Sequence, residues 1–168
     1  MKAAPATMVD TERLAEILGK VALFGRLNRR GLRRLAAQTT TRAYAPGDVI
    51  VREGDTSMSF YVILAGSVNV VCESGEEDQL VIGRMGELSF FGEMGLIDDM
   101  PRATSIVAAE RTECAMLTKW DFEGQLRNQP DIALALIPIL NTRIRELQAR
   151  LAGNRPGDPE PADRRTRV

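Results

Sequence analysis

The chain has 168 residues, with 22 basic and 23 acidic side chains for a formal net charge of −1, and it contains no histidine. This length suits one domain with its own hydrophobic core. The balanced charge gives no overall electrostatic footprint for nucleic acid or for a membrane surface, so neither is expected as a partner. The absence of histidine excludes Ser/His and Cys/His catalysis and nearly all zinc catalysis.

The hydrophobic pattern predicts a cytoplasmic protein. No apolar stretch reaches the length of a membrane span, and the first residues lack the apolar segment of a secretory signal. Cys72 and Cys114 lie inside apolar runs, which is typical of small buried thiols in a reducing compartment. Two cysteines are too few for a structural zinc site, and no metal is expected.

The N-terminal part of the chain has helical spacing. After a tail at residues 1–10, apolar side chains recur every three or four residues from Thr11 to about Thr41, with a break at Gly25–Asn28. This pattern predicts two short amphipathic helices, with Phe24 in the core. The basic cluster RLNRRGLRR at 26–34 has no interleaved aromatic residues, which favours a solvated helix face over RNA binding.

From residue 44 to residue 117 the pattern changes to short apolar runs separated by glycine-containing turns. Runs of this length and spacing predict a small antiparallel β-roll or jelly roll. With the helical regions on either side, the predicted fold class is α+β, a β-roll flanked by N-terminal helices and a C-terminal helical pair. The predicted domain covers residues 11–152.

Helical signals return at residues 118–152. Thr118 with Asp121 fits a capping box that opens a short helix ending near Asn128, and Pro130 suits the first turn of a longer helix. The longer helix carries an apolar stripe with heptad spacing, formed by Ala133, Ile137, Leu140, Ile144, Leu147 and Leu151. The stripe could pack on its own barrel, pair with a second copy as a homodimer, or do both in different states.

Two further features concern the end of the chain. Pro138 is predicted to kink the longer helix, because proline lacks an N–H group and its ring crowds the preceding turn. Pro138 would then be a natural hinge. The tail from residue 153 to residue 168 is rich in proline, glycine and charge, which predicts disorder.

The segment FFGEMGLIDDMPRATSIVA, residues 90–108, has the composition of an anion site. Gly92 and Gly95 allow a sharp turn and a close backbone approach, and EMGLID is expected to form one helical turn with free N–H groups. Arg102 supplies one charge in a fork that suits a phosphate. One arginine matches a phosphodiester, and Glu93 can accept a hydrogen bond from a ribose hydroxyl. These features together describe a 3′,5′-cyclic nucleotide.

The same segment resembles the phosphate-binding cassette of cyclic-nucleotide-binding domains, and the resemblance extends from the LFGRLNRRGLRRLA helices through YAPGDVIVREGD and FYVILAGSVNV to the helices after Leu117. It implies that Glu93 and the Gly92 backbone hold the ribose 2′-hydroxyl. It also implies that Arg102 pairs with the phosphate, helped by the N–H groups of Met94, Gly95 and Ala103. Val70 and Ile82 would line the apolar wall beside the base, and Leu147 would cap the base.

The resemblance also bears on the choice of base. In the resembled family, guanine selection often uses a hydroxyl directly after the cassette arginine, where this chain has Ala103. Thr104 follows and is counted with the binding residues, but strand alternation is expected to point it to the other face. Cyclic AMP is therefore preferred over cyclic GMP as the predicted ligand.

Two departures from the family pattern stand out. Leu88 and Ser89 occupy places where the family usually carries a glycine and an acid, so the turn before the cassette is expected to differ in shape. In addition, no helix-turn-helix pattern follows Leu151. The sequence does not identify the effector protein that such a module would regulate.

The predicted function is a cyclic-nucleotide-binding regulatory module without catalysis, in which the ligand repositions the C-terminal helix. The alternative is a dimerisation or partner-binding domain that keeps the fold but binds no ligand, with Glu93 and Arg102 as a structural salt bridge. A metal enzyme of the cupin type shares the architecture but would need histidines. Asp98 and Asp99 have no further ligands at metal spacing, which favours a solvated turn.

Overall fold

The computed structural model describes residues 10–73 and 79–153, so the tails predicted at 1–10 and 153–168 lie outside this range except for Asp10 and Gly153. The helices are α1 (Thr11–Leu18), α2 (Arg29–Ala37), α3 (Met94–Ile97), α4 (Lys119–Asn128) and α5 (Pro130–Gly153). The strands are β1 (Thr40–Tyr44), β2 (Val49–Val51), β3 (Ser59–Ala65), β4 (Val68–Glu73), β5 (Gln79–Met85), β6 (Phe90–Phe91), β7 (Ser105–Ala108) and β8 (Thr112–Thr118).

The strands form two antiparallel sheets, ordered β1–β8–β3–β6 and β2–β7–β4–β5. Each sheet contains strands from the beginning and from the end of the β region, such as β1 with β8 and β2 with β7. This arrangement is typical of a jelly roll, in which the antiparallel chain folds back on itself. The predicted α+β class with a β-roll between helical regions is confirmed.

Strand β3 lies between β8 and β6 in its sheet and is buried on both faces. Phe60 and Val62 face the helices, whereas Tyr61 and Ile63 face the interior of the roll, because successive side chains of a strand point to opposite sides. The Phe60 ring stacks on Phe122 of α4, with centroids 4.5 Å apart. This packing fixes the β-roll against the C-terminal helices.

The N-terminal region differs in its boundaries from the predicted helices at 11–41. Helix α2 ends at Ala37, and Thr40 and Thr41 belong to β1, where they pair with Met116 and Ala115. Strand pairing with β8 and the β-branched threonines override the helical pattern there. Phe24 is fully buried in the turn region between α1 and α2, which confirms its expected place in the core.

The C-terminal helices begin where the sequence indicates. The Thr118 side chain accepts a hydrogen bond from the Asp121 N–H at 3.2 Å, which confirms the cap of α4, and α5 begins at Pro130. Helix α5 continues through Pro138, and the kink at Pro138 stays a prediction.

Helix α5 packs on the core through a different face from the predicted stripe. Ile132 and Leu136 are buried, whereas four stripe residues are 51–73% exposed, namely Ile137, Ile144, Leu147 and Leu151. These four side chains therefore do not pack on the barrel in this structure, whereas Leu140 of the same stripe is partly buried against the core. Within the part of the chain that the structure describes, no helix is long and apolar enough to cross a bilayer.

Cys114 is buried and Cys72 is partly buried. Burial raises the pKa of the Cys114 thiol to about 12, with a smaller contribution from the nearby Glu113 carboxylate. Since the thiolate is the reactive form, Cys114 is inert at neutral pH. It lies on β8 beside Ile63 of β3 and packs as a small apolar side chain in the interior of the roll.

Candidate functional site

A cavity of about 260 Å³ opens between the interior of the roll, the segment 91–95, the segment 102–106 and α5. Its apolar wall consists of Val51, Val70, Met85, Phe91 and Ile106. Its polar groups come from Glu93, Arg102, Thr104 and Arg143, together with the backbone of the 92–95 segment. A small apolar chamber with a few convergent polar groups is the usual form of a ligand site.

Arg102 is the buried cation of this cavity. Its side chain lies inward, with 8% of the residue exposed. Nη1 donates to the Gly92 carbonyl at 2.9 Å and Nη2 donates to the Ser59 carbonyl at 2.5 Å. These two bonds lock the guanidinium in one orientation, while a guanidinium carries further N–H donors that can serve an anion in the cavity.

The backbone also fixes Arg102. Its N–H donates to Asp55 O and its carbonyl accepts from Gly54 N, both at 2.9 Å. The loop after β2 therefore binds both the N–H and the carbonyl of this residue. Burial lowers the pKa of the guanidinium from its ordinary value, while Tyr61, Glu93 and Asp55 act in the opposite direction. Arginine remains charged nonetheless, and a bound anion would offset the desolvation of this charge.

Gly92 is required by the geometry of Arg102. Its φ is +90°, a left-handed conformation that side chains rarely adopt. A Cβ atom at this position would lie 2.6 Å from Arg102 Nη1 and 2.8 Å from Ser59 O. Glycine therefore allows the strand β6 to turn into α3 and leaves room for the guanidinium.

Gly95 meets a different requirement from the one predicted. A Cβ atom there would collide with the Ser57 hydroxyl and lie 2.5 Å from Met100 O. Its lack of a side chain therefore serves the packing of α3 against the neighbouring loops. The predicted helical turn within EMGLID is confirmed as α3, and its first N–H groups have no acceptor within the helix.

Glu93 is buried, with 2% of the residue exposed, and its ion-pair partner is Arg143 of α5. Arg143 Nη1 donates to Glu93 Oε1, and Nη2 donates to the Phe90 carbonyl at 3.2 Å. The guanidinium carbon also lies 5.1 Å from the centre of the Phe90 ring, a cation–π contact. The acid of the cassette is thus tied to the last helix, and the ion pair of Glu93 is with Arg143 rather than with Arg102.

The structure brings most of the predicted site residues together around the cavity. Eight of them line it: Val70, Gly92, Glu93, Met94, Gly95, Arg102, Ala103 and Thr104. Ile82 and Leu147 do not line it and are 43% and 57% exposed. Thr104 reaches the cavity because it lies in a bend before β7 begins at Ser105, so the strand alternation expected to turn it away does not apply.

Ile82 lies outside the cavity because of a β-bulge. Val70 pairs with Gly83 and the next residue, Val71, pairs with Val81, so Ile82 is the extra residue between them. A bulge shifts which side chains face inward. Met85 supplies the wall from β5 instead. Register is a non-local property, so the alternation within β5 alone could not locate this shift.

Arg143 is the functional candidate that sequence reasoning missed. Leu147 was expected to cover the base, but Arg143, about one turn earlier, is the α5 residue that lines the cavity. It stands in the run NTRIRELQAR beside Arg145 and Arg150, and nothing in the sequence singles it out. Its role depends on the angle at which α5 crosses the roll.

One turn precedes the cassette and another lies within it. Leu88 adopts φ +64° in the turn before β6, where its N–H donates to Ile63 O at 2.9 Å. The turn is thus formed with leucine in a conformation that favours glycine. Asp98 accepts from the Met100 N–H at 3.0 Å and Asp99 pairs with Lys119. Both aspartates are exposed, as expected of a solvated turn.

Comparison with known proteins gives a consistent result. Residues 41–129, more than half of the chain, match the family model described as cyclic nucleotide-binding domain. The cAMP-dependent protein kinase regulatory subunit of Blastocladiella emersonii is 36% identical over 68% of this chain and 28% of its own length. The cyclic AMP receptor protein of Thermus thermophilus is 35% identical over 66% of this chain and 51% of its own length.

Solved structures agree with the sequence relatives. A cyclic nucleotide-binding domain from Methylobacillus flagellatus superposes with a TM-score of 0.74 at 29% identity, covering 89% of this chain and 86% of that one. The catabolite activator protein of Thermus thermophilus gives a TM-score of 0.71 at 28% identity, covering 78% and 62%. The chain spans about half or less of the length of the two curated relatives described above.

Proposed function

This chain belongs to the cyclic nucleotide-binding domain family, and we propose that it is a cytoplasmic regulatory module that binds cyclic AMP and has no catalysis of its own. The observation that carries the proposal is the buried guanidinium of Arg102, which two backbone carbonyls hold in place beside an apolar cavity. Among the residues that the structure describes, no carboxylate forms an ion pair with Arg102, so this buried charge can receive an anion.

The anion is a cyclic phosphodiester. Arg102 provides one full charge at this end of the cavity, and the N–H groups of Met94, Gly95 and Ala103 add dipoles. A singly charged phosphate matches this set, whereas a triphosphate would need more cations or a metal. The apolar side chains of Val51, Val70, Met85 and Ile106 provide a wall for a purine.

The ribose binds through Glu93. The hydrogen bond from Arg143 is to Oε1 of this carboxylate, and a carboxylate has two oxygens that can each accept hydrogen bonds. The 2′-hydroxyl can therefore donate to Glu93 while the ion pair with Arg143 persists. This arrangement distinguishes a ribose from a deoxyribose.

The preference for adenine rests on Ala103, which offers no hydroxyl to the guanine amino group. The curated relatives include a cAMP-dependent kinase regulatory subunit and a cyclic AMP receptor protein, and this supports the same ligand here. Thr104 does line the cavity, and its side chain carries a hydroxyl. Cyclic GMP is therefore expected to bind more weakly rather than not at all.

Ligand binding is coupled to α5 through Glu93. A ribose that bonds to this carboxylate joins the ion pair of Glu93 with Arg143, and Arg143 is part of α5. The ligand therefore favours one placement of the helix, and the exposed Leu147 can approach the base when α5 moves toward the cavity. The energy for this movement comes from the difference in ligand affinity between the two placements.

The role of Glu93 is tested with 2′-deoxy cyclic AMP and the variant Glu93→Ala. We expect the wild type to bind cyclic AMP about 10-fold or more tightly than the deoxy form, because a hydrogen bond to a charged group contributes about 1.5–3 kcal/mol. In Glu93→Ala the two ligands should bind within about twofold of each other. Calorimetric titration of both ligands into both proteins measures this ratio.

The matched control is Glu123→Ala, which removes an acid of α4 that pairs with Lys119 and Arg127 away from the cavity. This variant should keep the wild-type ratio. If Glu93→Ala retained the full preference for the ribose form, Glu93 would have no part in binding the sugar.

A second candidate function is dimerisation through α5. The exposed stripe of Ile137, Ile144, Leu147 and Leu151 has the spacing of a coiled-coil seam, and it has no cover within the described residues. A second copy of the chain would bury it. Because the same helix carries Arg143, association and ligand binding would then be linked. The alternative is that the chain keeps this interaction alone and binds no nucleotide.

A further inference from the structure

A continuous block of positive charge lies in the N-terminal part of the chain. Residues 17–47 contain seven basic side chains and no acidic one, whereas the rest of the chain has 15 basic and 23 acidic residues. Five of the seven are arginines within 26–34. The near-zero net charge therefore conceals a strong charge asymmetry, of the kind that directs association with a charged partner.

Part of this block already binds a carboxylate within the chain. Arg29 and Arg33, four residues apart on α2, both contact Glu12 of α1. The Arg29 Nη2 to Glu12 Oε2 distance is 3.4 Å and the Arg33 Nε to Glu12 Oε1 distance is 2.5 Å. The two arginines lower the pKa of the Glu12 carboxyl, mainly through the bond from Arg33. An Arg pair at i and i+4 on this helix thus forms a clamp for one carboxylate.

The same clamp is repeated one residue further along the helix. Arg30 and Arg34 have the same spacing, and both are exposed. In the described part of the chain neither of them, nor the exposed Arg26 that precedes α2, has an ion-pair partner within 4.0 Å. Helix geometry rotates Arg30 and Arg34 by about 100° from the first pair, so they face away from Glu12.

The helix holds this face rigidly. The Asn28 side chain accepts from the Gly31 N–H at 2.9 Å, which caps the first turn, and Gly31, Leu35 and Ala36 are buried against the core. The position of Arg30 and Arg34 is therefore set by tertiary packing. Their mutual repulsion is not relieved by any described acidic side chain within ion-pair distance.

The residues around Arg30 and Arg34 limit the kind of partner that can bind there. From residue 19 to residue 48 the described chain exposes no large apolar side chain, so α2 has nothing to insert into a membrane interface. Phe24 is fully buried, and no aromatic side chain interleaves the arginines to stack on bases. A planar guanidinium pair matches carboxylates bidentately, as Glu12 already shows.

We propose that Arg30 and Arg34, supported by Arg26, form a docking surface for a carboxylate-rich segment of a partner protein. Exposed charge pairs are weak singly and screened by salt, so the partner needs several acidic residues and binds more weakly as ionic strength rises. The surface lies on an element that does not line the nucleotide cavity. It therefore provides contact with a partner without occupying the ligand site.

The test uses a fluorescein-labelled oligoglutamate peptide as the probe and the full chain as the receptor. Fluorescence anisotropy is measured at about 50 mM and about 200 mM salt, for the wild type and for the double variant R30Q/R34Q. We expect R30Q/R34Q to bind at least about fivefold more weakly at low salt. The matched control, R111Q/R127Q, removes two exposed arginines elsewhere and should change binding less than about twofold.

Three further results decide the proposal. Melting temperatures of both double variants within about 2 °C of the wild type would show that the folds are intact, since surface changes alter stability little. Equal peptide binding by R30Q/R34Q and the wild type, or no binding by the wild type, would overturn the proposal. The proposal would also be overturned if the wild type bound duplex DNA or phosphatidylserine vesicles more tightly than the peptide at the same salt and lost this binding in R30Q/R34Q. The partner would then not be a protein.

Discussion

We expect Arg102→Ala to weaken cyclic AMP binding by about 10- to 100-fold or more. A desolvated, charge-assisted hydrogen bond to phosphate contributes about 1.5–3 kcal/mol, and about 1.4 kcal/mol corresponds to a factor of ten. Arg102 is buried and held by Gly92 O and Ser59 O, so its contribution is made in a preorganised geometry. Calorimetric titration of the wild type and the variant with cyclic AMP measures the loss.

Arg102→Ala also affects the stability of the unliganded protein, and this effect must be measured separately from the effect on cyclic AMP binding. Loss of Arg102 leaves the Gly92 and Ser59 carbonyls without these donors, so the unliganded variant should melt at a lower temperature than the wild type. Arg102→Lys keeps the charge but cannot reproduce the fork, and we expect an affinity between those of Ala and Arg. Wild-type affinity in a folded Arg102→Ala protein would remove Arg102 from the binding site.

The second large effect is expected for Gly92→Ala. A Cβ atom at Gly92 would meet Arg102 Nη1 and Ser59 O at 2.6 and 2.8 Å, and the residue has φ +90°. The left-handed conformation costs an alanine about 1–2 kcal/mol, and overpacking adds about 1–3 kcal/mol. We therefore expect the free energy of unfolding to fall by about 2–5 kcal/mol, and cyclic AMP binding to fall because the guanidinium is displaced.

Gly47→Ala is the matched control for Gly92→Ala. Gly47 has φ +85°, and a Cβ atom there would meet nothing within 4 Å. The free energy of unfolding of this control should fall only by the cost of the left-handed backbone, about 1–2 kcal/mol. Its affinity for cyclic AMP should not change. Urea unfolding and calorimetry on both variants give the comparison. Equal losses of stability and unchanged binding in the two variants would show that the space at Gly92 is not needed for Arg102.

Local chemistry was readable from the sequence. The glycines, Glu93 and Arg102 lie within a short segment, so their residue types and spacing predict an anion site next to a sugar site, and this stays a prediction. The cap at Thr118 and the start of α5 at Pro130 were also local signals, and they were confirmed. The family resemblance rested on these motifs and on the strand pattern, and the comparisons confirmed it.

The features that the sequence did not indicate depend on pairing between distant segments. Thr40 and Thr41 became part of β1 because β8 offers them a partner strand. Ile82 was displaced by a bulge that appears only when β4 and β5 are paired. Arg143 meets Glu93 because α5 crosses the roll at one particular place. Each of these outcomes is set by tertiary contacts that no single segment encodes.

The central claim is that the cavity around Arg102 and Glu93 receives cyclic AMP, and the most direct measurement is the melting temperature of the purified chain with and without the nucleotide. At a ligand concentration of about 100 times the dissociation constant, binding adds about 2.7 kcal/mol, and this predicts a rise of about 5–10 °C. No rise at saturating cyclic AMP, in a sample that sediments as a stable dimer, would contradict the account and identify the chain as an association domain.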